Sequence, residues 1–255
     1  MPGFCVSLNL MPGEEADKKI RLDAFLARAG CGTRSEVRQL IRRGRVSLDE
    51  TVCRRSGEHV QGRTVRVDGE VVQAPPDALH VVLHKPLGVS CSHDPREEPL
   101  VDGLLPATWQ SLGIQMVGRL DRDTTGLLVL TTDGVLLHQL THPSRKVIKR
   151  YRVVFSGSLP ADAVERCGEG FLIGNEERPT RPARLEIDGP NRATIHLREG
   201  RNRQVRRMFQ RLGVEVVELH RDRVGAYELP EDLRPGEWAL LGEDELERLL
   251  SDKSL

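Results

Sequence analysis

The chain is predicted to be an α+β protein, with a large domain on a mostly antiparallel sheet and a smaller unit of two helices and short strands in front. Three observations predict this. Short apolar runs rich in β-branched residues recur at 80–85, 127–131, 149–155, 183–187, 193–197 and 214–220, with Asp-Gly or Gly-Pro turn signals between several of them. Few helical patterns separate these runs, so the alternation expected of a parallel α/β sheet is missing. A proline-rich stretch at 73–79, Gln-Ala-Pro-Pro-Asp-Ala-Leu, breaks the chain in two.

Residues 1–20 read as a flexible extension, because they carry neither the basic start nor the apolar core of a secretory signal. The unit at 21–72 opens with a helix that places Leu22, Phe25 and Leu26 at i, i+3 and i+4, and Gly30-Cys31-Gly32 stops it. A second helix has Thr33 or Ser35 as its cap and Glu36 in its first turn. Val37, Leu40 and Ile41 form its apolar face, Arg34, Arg38 and Arg42 lie off that face, and Arg43 and Arg45 flank the Gly44 that ends it. Short strands at 46–48 and 64–69 follow. Two helices with an arginine-rich side followed by short strands resemble the small S4-type RNA-binding domain. The arginines have no acids at i,i+4 to neutralise them, as an ordinary solvated helix would. The resemblance therefore implies a phosphate-binding face at Arg34, Arg38, Arg42, Arg43 and Arg45.

The large domain spans 80–255. A strand at 80–85 is closed by Pro86 and Gly88, and the proline-rich, charged segment 92–109 reads as loop with one helical turn. Residues 113–117 lead into a charged loop and the apolar strand behind it. A helix over 133–141 turns Leu136, Leu137 and Leu140 inward, and a strand begins at Lys149. Residues 160–168 read as a helix, and Asp188-Gly189-Pro190-Asn191 joins a strand pair. The helix at 203–212 has Val205, Met208, Phe209 and Leu212 on one face. A strand at 214–220 and a closing helix at 246–250 complete the domain.

A length of 255 residues accommodates one sizeable core and a small appended domain. The 38 basic and 38 acidic residues cancel, but they are segregated along the chain. Residues 21–45 hold seven arginines against two acids, 198–211 hold six against one, and 145–152 carry five basic side chains and no acid; 228–255 carries nine acids against three bases. Local basic surfaces bind phosphates whatever the total. The five scattered cysteines have no CxxC pair, which fits a reducing cytoplasm and excludes a disulfide framework or zinc site. The eight histidines form no metal-binding motif, no apolar run is long enough to cross a membrane, and no glycine loop of the nucleotide-binding kind occurs. No cofactor and no metal are expected.

The most distinctive stretch is Gly118-Arg119-Leu120-Asp121-Arg122-Asp123-Thr124-Thr125-Gly126, which runs directly into Leu127-Leu128-Val129-Leu130. Charged groups sit on a loop at the rim of a rigid strand, where functional groups are commonly placed. Lys85-Pro86-Leu87-Gly88 precedes it. Lys149-Arg150-Tyr151 and then Glu199-Gly200-Arg201-Asn202-Arg203-Gln204-Val205-Arg206-Arg207-Met208-Phe209 follow. Together, in this order, these motifs resemble the RsuA-type branch of the RNA pseudouridine synthases, which acts on ribosomal RNA. The resemblance covers roughly 20–242. Asn175-Glu176, Thr180-Arg181-Pro182-Ala183, the segment from Glu218 to Gly225, and the segment from Leu233 to Trp238 resemble the small-subunit (16S rRNA) type.

The resemblance implies that uridine is isomerised to pseudouridine, with Asp121 as nucleophile, Tyr151 against the uracil and Arg206 as the basic partner of the catalytic aspartate. On chemistry alone Asp123 rivals Asp121; the family pattern favours Asp121 and leaves Asp123 a turn or cap residue. Lys85, Arg119, Lys149, Arg201, Arg203 and Arg207 are expected to face RNA, Lys85 either in that role or a structural one. Arg203-Gln204 stands where the branch often has His-Gln, which bears on substrate fit. The implied partner is ribosomal RNA, within a small-subunit assembly intermediate, met by a monomeric protein. Three alternatives stay open: a synthase of the same branch acting on 23S rRNA, a non-catalytic assembly factor, and a glycoside hydrolase with Asp123 as its second carboxylate.

Overall fold

The computed structural model describes residues 20–72, 78–142 and 147–251. The expected extension at 1–20, apart from Ile20, and most of the expected linker lie outside the described residues. The chain divides into two units, Met1–Pro76 and Asp77–Leu255.

In the first unit, α1 (Leu22–Arg28) and α2 (Arg34–Arg42) pack against strands β1 (Val46–Leu48), β2 (Thr51–Val52), β3 (Val65–Val67) and β4 (Glu70–Val72), ordered β2-β1-β3-β4 and antiparallel at each join. The Thr33 hydroxyl accepts from the Glu36 backbone N–H, and the Glu36 carboxylate accepts in return from the Thr33 N–H, satisfying two otherwise orphaned groups. The core is Leu22, Leu26, Val37, Ile41, Val46 and their neighbours. The two outer strands carry exposed Val52 and Val71 and were not legible as strands.

All five arginines expected to bind phosphate here are exposed, yet two have acidic partners that local spacing does not reveal. Arg38 reaches Asp23 on α1 at 3.3 Å, and Arg45 pairs with Asp68 in the turn between β3 and β4. Burial raises the Asp23 carboxyl, but bonds from Arg21 and Arg38 outweigh it and hold it below the usual carboxylate range. Exposed guanidiniums in such pairs exchange readily onto phosphate, because a surface ion pair is weak.

The second unit continues with β5 (His80–Lys85), two 3-10 turns, α3 (Ala107–Ser111), β6 (Gln115–Met116), β7 (Thr125–Thr131), α4 (Gly134–Thr141), β8 (Lys149–Ser156) and α5 (Ala163–Glu169). Then come β9 (Arg184–Gly189), β10 (Arg192–Leu197), α6 (Gln204–Arg211), β11 (Glu215–Val224), β12 (Tyr227–Glu228), β13 (Trp238–Leu240) and α7 (Glu243–Leu250). The main sheet runs β13-β5-β7-β11-β8-β10-β9, with β6 on β7 and β12 on β11. Its joins are antiparallel apart from β7 with β11. Leu79, placed in the linker by composition, belongs to this unit: it exchanges hydrogen bonds with Thr132 and is buried.

Strand β7 is buried almost end to end. Leu128 and Leu130 enter one core with Val153, Phe155, Ile195, Met208 and Phe209, and Leu127 and Val129 enter a second with Leu136, Leu140 and Leu249. A strand covered on both faces reads as a continuous apolar run, as β7 does. The charged loop before it is therefore anchored on a strand buried on both faces.

Candidate active site

Three contacts fix the loop from Gly118 to Thr124. The Thr124 N–H donates to the Asp121 carbonyl at 3.0 Å and closes a turn; the Gly88 N–H donates to the Arg122 carbonyl at 2.9 Å; and Arg122 Nε donates to the Gly88 carbonyl at 3.0 Å. Behind it Lys85 is fully buried, its Nζ donating to the carbonyls of Thr124 (2.8 Å) and Pro86 (3.0 Å). Burial lowers the Lys85 ammonium, and the nearby acids only partly offset this. Lys85 is thus placed as a strut beneath the loop, its ammonium donating to the carbonyls of two turns.

Above the loop lies a cavity of about 370 Å³, within the range of sites that enclose a small ligand. Its wall includes Arg119, Asp121, Lys149, Tyr151, Arg201, Arg203 and Arg221. Asp121 is half-buried, and no described residue donates a hydrogen bond to its carboxylate. Tyr151, on β8, is 9 % exposed. Arg221, on β11, is buried and donates from Nε to the Leu127 carbonyl at 2.9 Å. Its guanidinium carbon is 6.0 Å from the Tyr151 ring centre, and its Nη1 is 3.5 Å from the Tyr151 hydroxyl.

The neighbouring carboxylate has a different environment. Asp123 receives two bonds from Arg203, at 3.1 and 2.8 Å, and Arg206 Nε lies 3.2 Å away. Arg206 also donates to the backbone carbonyls of Asp123 (2.7 Å) and Val216 (2.8 Å). Burial pushes the Asp123 carboxyl up, but the Arg203 bonds and the Arg206 charge outweigh it and hold it below the ordinary range. Two arginines thus engage the Asp123 carboxylate, whereas Asp121 lines the cavity.

The model of the RNA pseudouridylate synthase family matches residues 79–211, and that of the S4 domain matches residues 20–64. The chain belongs to the RNA pseudouridylate synthase family. The synthase is 36 % identical to the ribosomal small subunit pseudouridine synthase A of Vibrio cholerae over 235 residues, covering 89 % of this chain and 98 % of the relative. It is equally similar to the protein of that name from Escherichia coli K12, over 230 residues with the same coverage. A solved pseudouridylate synthase structure aligns with a TM-score of 0.65 at 33 % identity, covering 90 % of this chain and 99 % of the other.

Within the synthase, Asp121, Tyr151, Arg119, Lys149, Arg201 and Arg203 all line one cavity. Two other sequence-based expectations, those for Arg206 and Asp123, differ from the structure. Arg206 pairs with Asp123 rather than Asp121, because Arg203 and Arg206 lie one turn apart at the start of α6, where Asp123 meets both. Asp123 is accordingly a clamp between loop and helix and no mere turn residue. Arg201 and Arg207, expected to face RNA, share Glu176; Arg201 further engages Glu199 and Arg207 the Ile173 carbonyl. Arg221 was not singled out for the site. Its signal was a basic residue in an otherwise alternating strand, and the sequence could not show which face it took.

Lys149 stands on the cavity wall, its Nζ 3.4 Å from the Val147 carbonyl, and among the described residues no acidic side chain pairs with it. Burial, reinforced by the Arg221 charge, brings its ammonium down to about 8. Between that value and the unfolded 10.5 the unfolded chain binds the extra proton, so this group makes stability rise with pH across the window. Lys149→Met is expected to raise the melting temperature at pH 7, with an advantage that shrinks as pH approaches 10.5. A variant that melts lower at pH 7, or whose advantage grows with pH, contradicts this account.

Proposed function

We propose that this synthase isomerises a uridine of small-subunit ribosomal RNA to pseudouridine, with Asp121 as nucleophile on a uridine swung out of the RNA. The N1–C1' bond breaks, the base turns, and a C5–C1' bond forms; C5 loses a hydrogen and N1 gains one, so the reaction calls for no oxidant or co-substrate. The observation that carries the reading is an Asp121 carboxylate without a described protein partner, sharing one cavity wall with a buried tyrosine and cationic side chains. Such a carboxylate is available to act on the ribose or base and then to help remove the C5 proton. Tyr151 offers a ring face for stacking on the uracil, and Arg221 lies over that ring, 6.0 Å from its centre. Arg119, exposed on the rim, meets the backbone of the flipped nucleotide. The S4 unit adds a second grip through its arginine face.

The small-subunit assignment rests on the names of the relatives that match nearly end to end. An assembly intermediate fits as substrate, since a paired uridine must be exposed before it is flipped. The test is a nucleotide-resolution map of pseudouridine in ribosomal RNA from cells lacking the gene, with and without complementation. Loss and restoration of one 16S position is expected. A lost 23S position transfers the assignment to the large subunit, and an unchanged map overturns the reading.

Arg206→Ala is expected to slow pseudouridine formation and destabilise the domain together, since it strips the Asp123 carbonyl, the Asp123 carboxylate and the Val216 carbonyl of one shared donor. Loss of a charged hydrogen-bond network of this kind costs on the order of 2–3 kcal/mol in denaturant unfolding. A stable but inactive variant would instead place Arg206 in the chemistry.

A further inference from the structure

Side chains alternate along β8, so Lys149 and Tyr151 project from one face, and both line the candidate active-site cavity. Arg221 lies opposite Tyr151 in the register of β11 and lines the same cavity. Two cations thus share the wall that carries the tyrosine ring, and among the described residues neither pairs with an acid. The Lys149 ammonium donates to the Val147 carbonyl at 3.4 Å, a long bond. The Arg221 guanidinium donates to the Leu127 carbonyl at 2.9 Å and to the Tyr151 hydroxyl at 3.5 Å. Burial weakens the hold of Lys149 on its proton, and the neighbouring charge that adds to this, Arg221, is itself positive. Asp123, the acid beside the catalytic loop's arginines, is engaged by Arg203 and Arg206. A cation desolvated without a counter-ion destabilises the free protein and becomes favourable when negative charge develops beside it.

We propose that Lys149 stabilises the uracil anion that forms as the N1–C1' bond breaks, its ammonium donating to a carbonyl oxygen of the base. The inference rests on uridine being isomerised in this cavity with Asp121 as nucleophile. When an Asp121 oxygen bonds C1', the electron pair of the N1–C1' bond leaves with the base. The negative charge given up by the carboxylate then reappears on N1, O2 and O4 of the uracil. The base turns, C5 bonds C1' as the Asp121 oxygen departs with its electron pair, C5 gives up its proton and N1 takes one up. The charge on the base therefore exists only between the two bond changes. A cation that meets it there, and meets neutral uracil more weakly, lowers the barrier without tightening the ground state. Lys149 is placed for this, two residues from Tyr151 on the same face of β8 and beside a base stacked on that ring. Its four-carbon stem lets the ammonium follow the base as it turns. Arg221, anchored at Leu127, adds positive potential from a fixed position.

The test compares full-length Lys149→Met and Lys149→Arg with wild type in single-turnover conversion of the RNA that wild type modifies, with rates referred to folded protein. Binding of that RNA and thermal melting are measured alongside. At saturating enzyme Lys149→Met is expected to convert on the order of 10^2-fold more slowly, the loss typical of one removed donor to a developing anion. Its RNA affinity is expected to stay within about threefold of wild type, so that the loss falls on the chemical step. Lys149→Arg keeps a cation and is expected to convert within about tenfold of wild type, a rescue that a merely structural role would not produce. A methionine variant that converts within about threefold of wild type overturns the inference. So does one whose loss lies in affinity alone, which would make Lys149 a phosphate contact. An arginine variant as slow as the methionine variant overturns it too, because the charge is then not what acts. The cellular pseudouridine map decides the reaction separately: an unchanged map removes both readings, whereas a lost and restored position with a fast Lys149→Met removes this one alone.

Discussion

Asp121→Asn is expected to abolish pseudouridine formation, lowering the rate by on the order of 10^4-fold, while leaving the fold unchanged. The two side chains have the same shape, and the exchange removes the charge and the nucleophilic oxygen. The structure explains why folding is spared. No described residue donates to the Asp121 carboxylate, and the turn is closed through its backbone carbonyl, which asparagine keeps. Asp123→Asn is the informative control. It weakens the bonds from Arg203 and the ion pair with Arg206, so its effect appears in stability and loop order as well as in rate. Single-turnover conversion of a 16S transcript or assembly particle, alongside thermal melting, separates the two. An active Asp121→Asn enzyme would remove Asp121 from the chemistry, and a strongly unfolded one would show that its carboxylate has a structural partner after all.

The fold was largely legible because its strands are stiff, apolar and well separated by turns. Strand β7 declared itself as a run of Leu and Val, and α6 through Val205, Met208 and Phe209 on one face. The short strands β2, β4, β6, β12 and β13 were not legible. Each is two or three residues long, too short for alternation to be recognised, and each exists because a longer neighbour supplies its hydrogen bonds. Within the site, the residues on the cavity wall followed from the motifs, whereas charge pairing did not. Asp121 and Asp123 are two positions apart on one turn, and only the approach of α6 decides which of them receives Arg203 and Arg206. Arg201 and Arg207 likewise resembled phosphate contacts until Glu176 came up against them from a loop 25 and 31 residues away. Long-range ion pairs of this kind have no local signature.

Gly126→Ala is expected to destabilise the second unit by about 3 kcal/mol and to disorganise the active site with it. Gly126 has φ +108°, a conformation that side chains with a Cβ rarely adopt, and a methyl group there would collide with the carbonyl oxygen of Arg221. The close approach has a structural cause: Gly126 is paired with Arg221 where β7 and β11 run parallel, and with Lys85 on its other side. Three functional parts meet at this point. Lys85 props the Asp121 loop, Arg221 lies over Tyr151, and the glycine sets the distance between the strands that carry them. Relieving the collision requires β7 and β11 to separate, which draws Arg221 away from the Leu127 carbonyl and from Tyr151. Denaturant unfolding of Gly126→Ala should therefore show lost stability, and the folded fraction should convert uridine more slowly than wild type. A variant within about 0.5 kcal/mol of wild type, the range of ordinary surface substitutions, would mean that the sheet accommodates the methyl group and that this strand spacing does not govern the site.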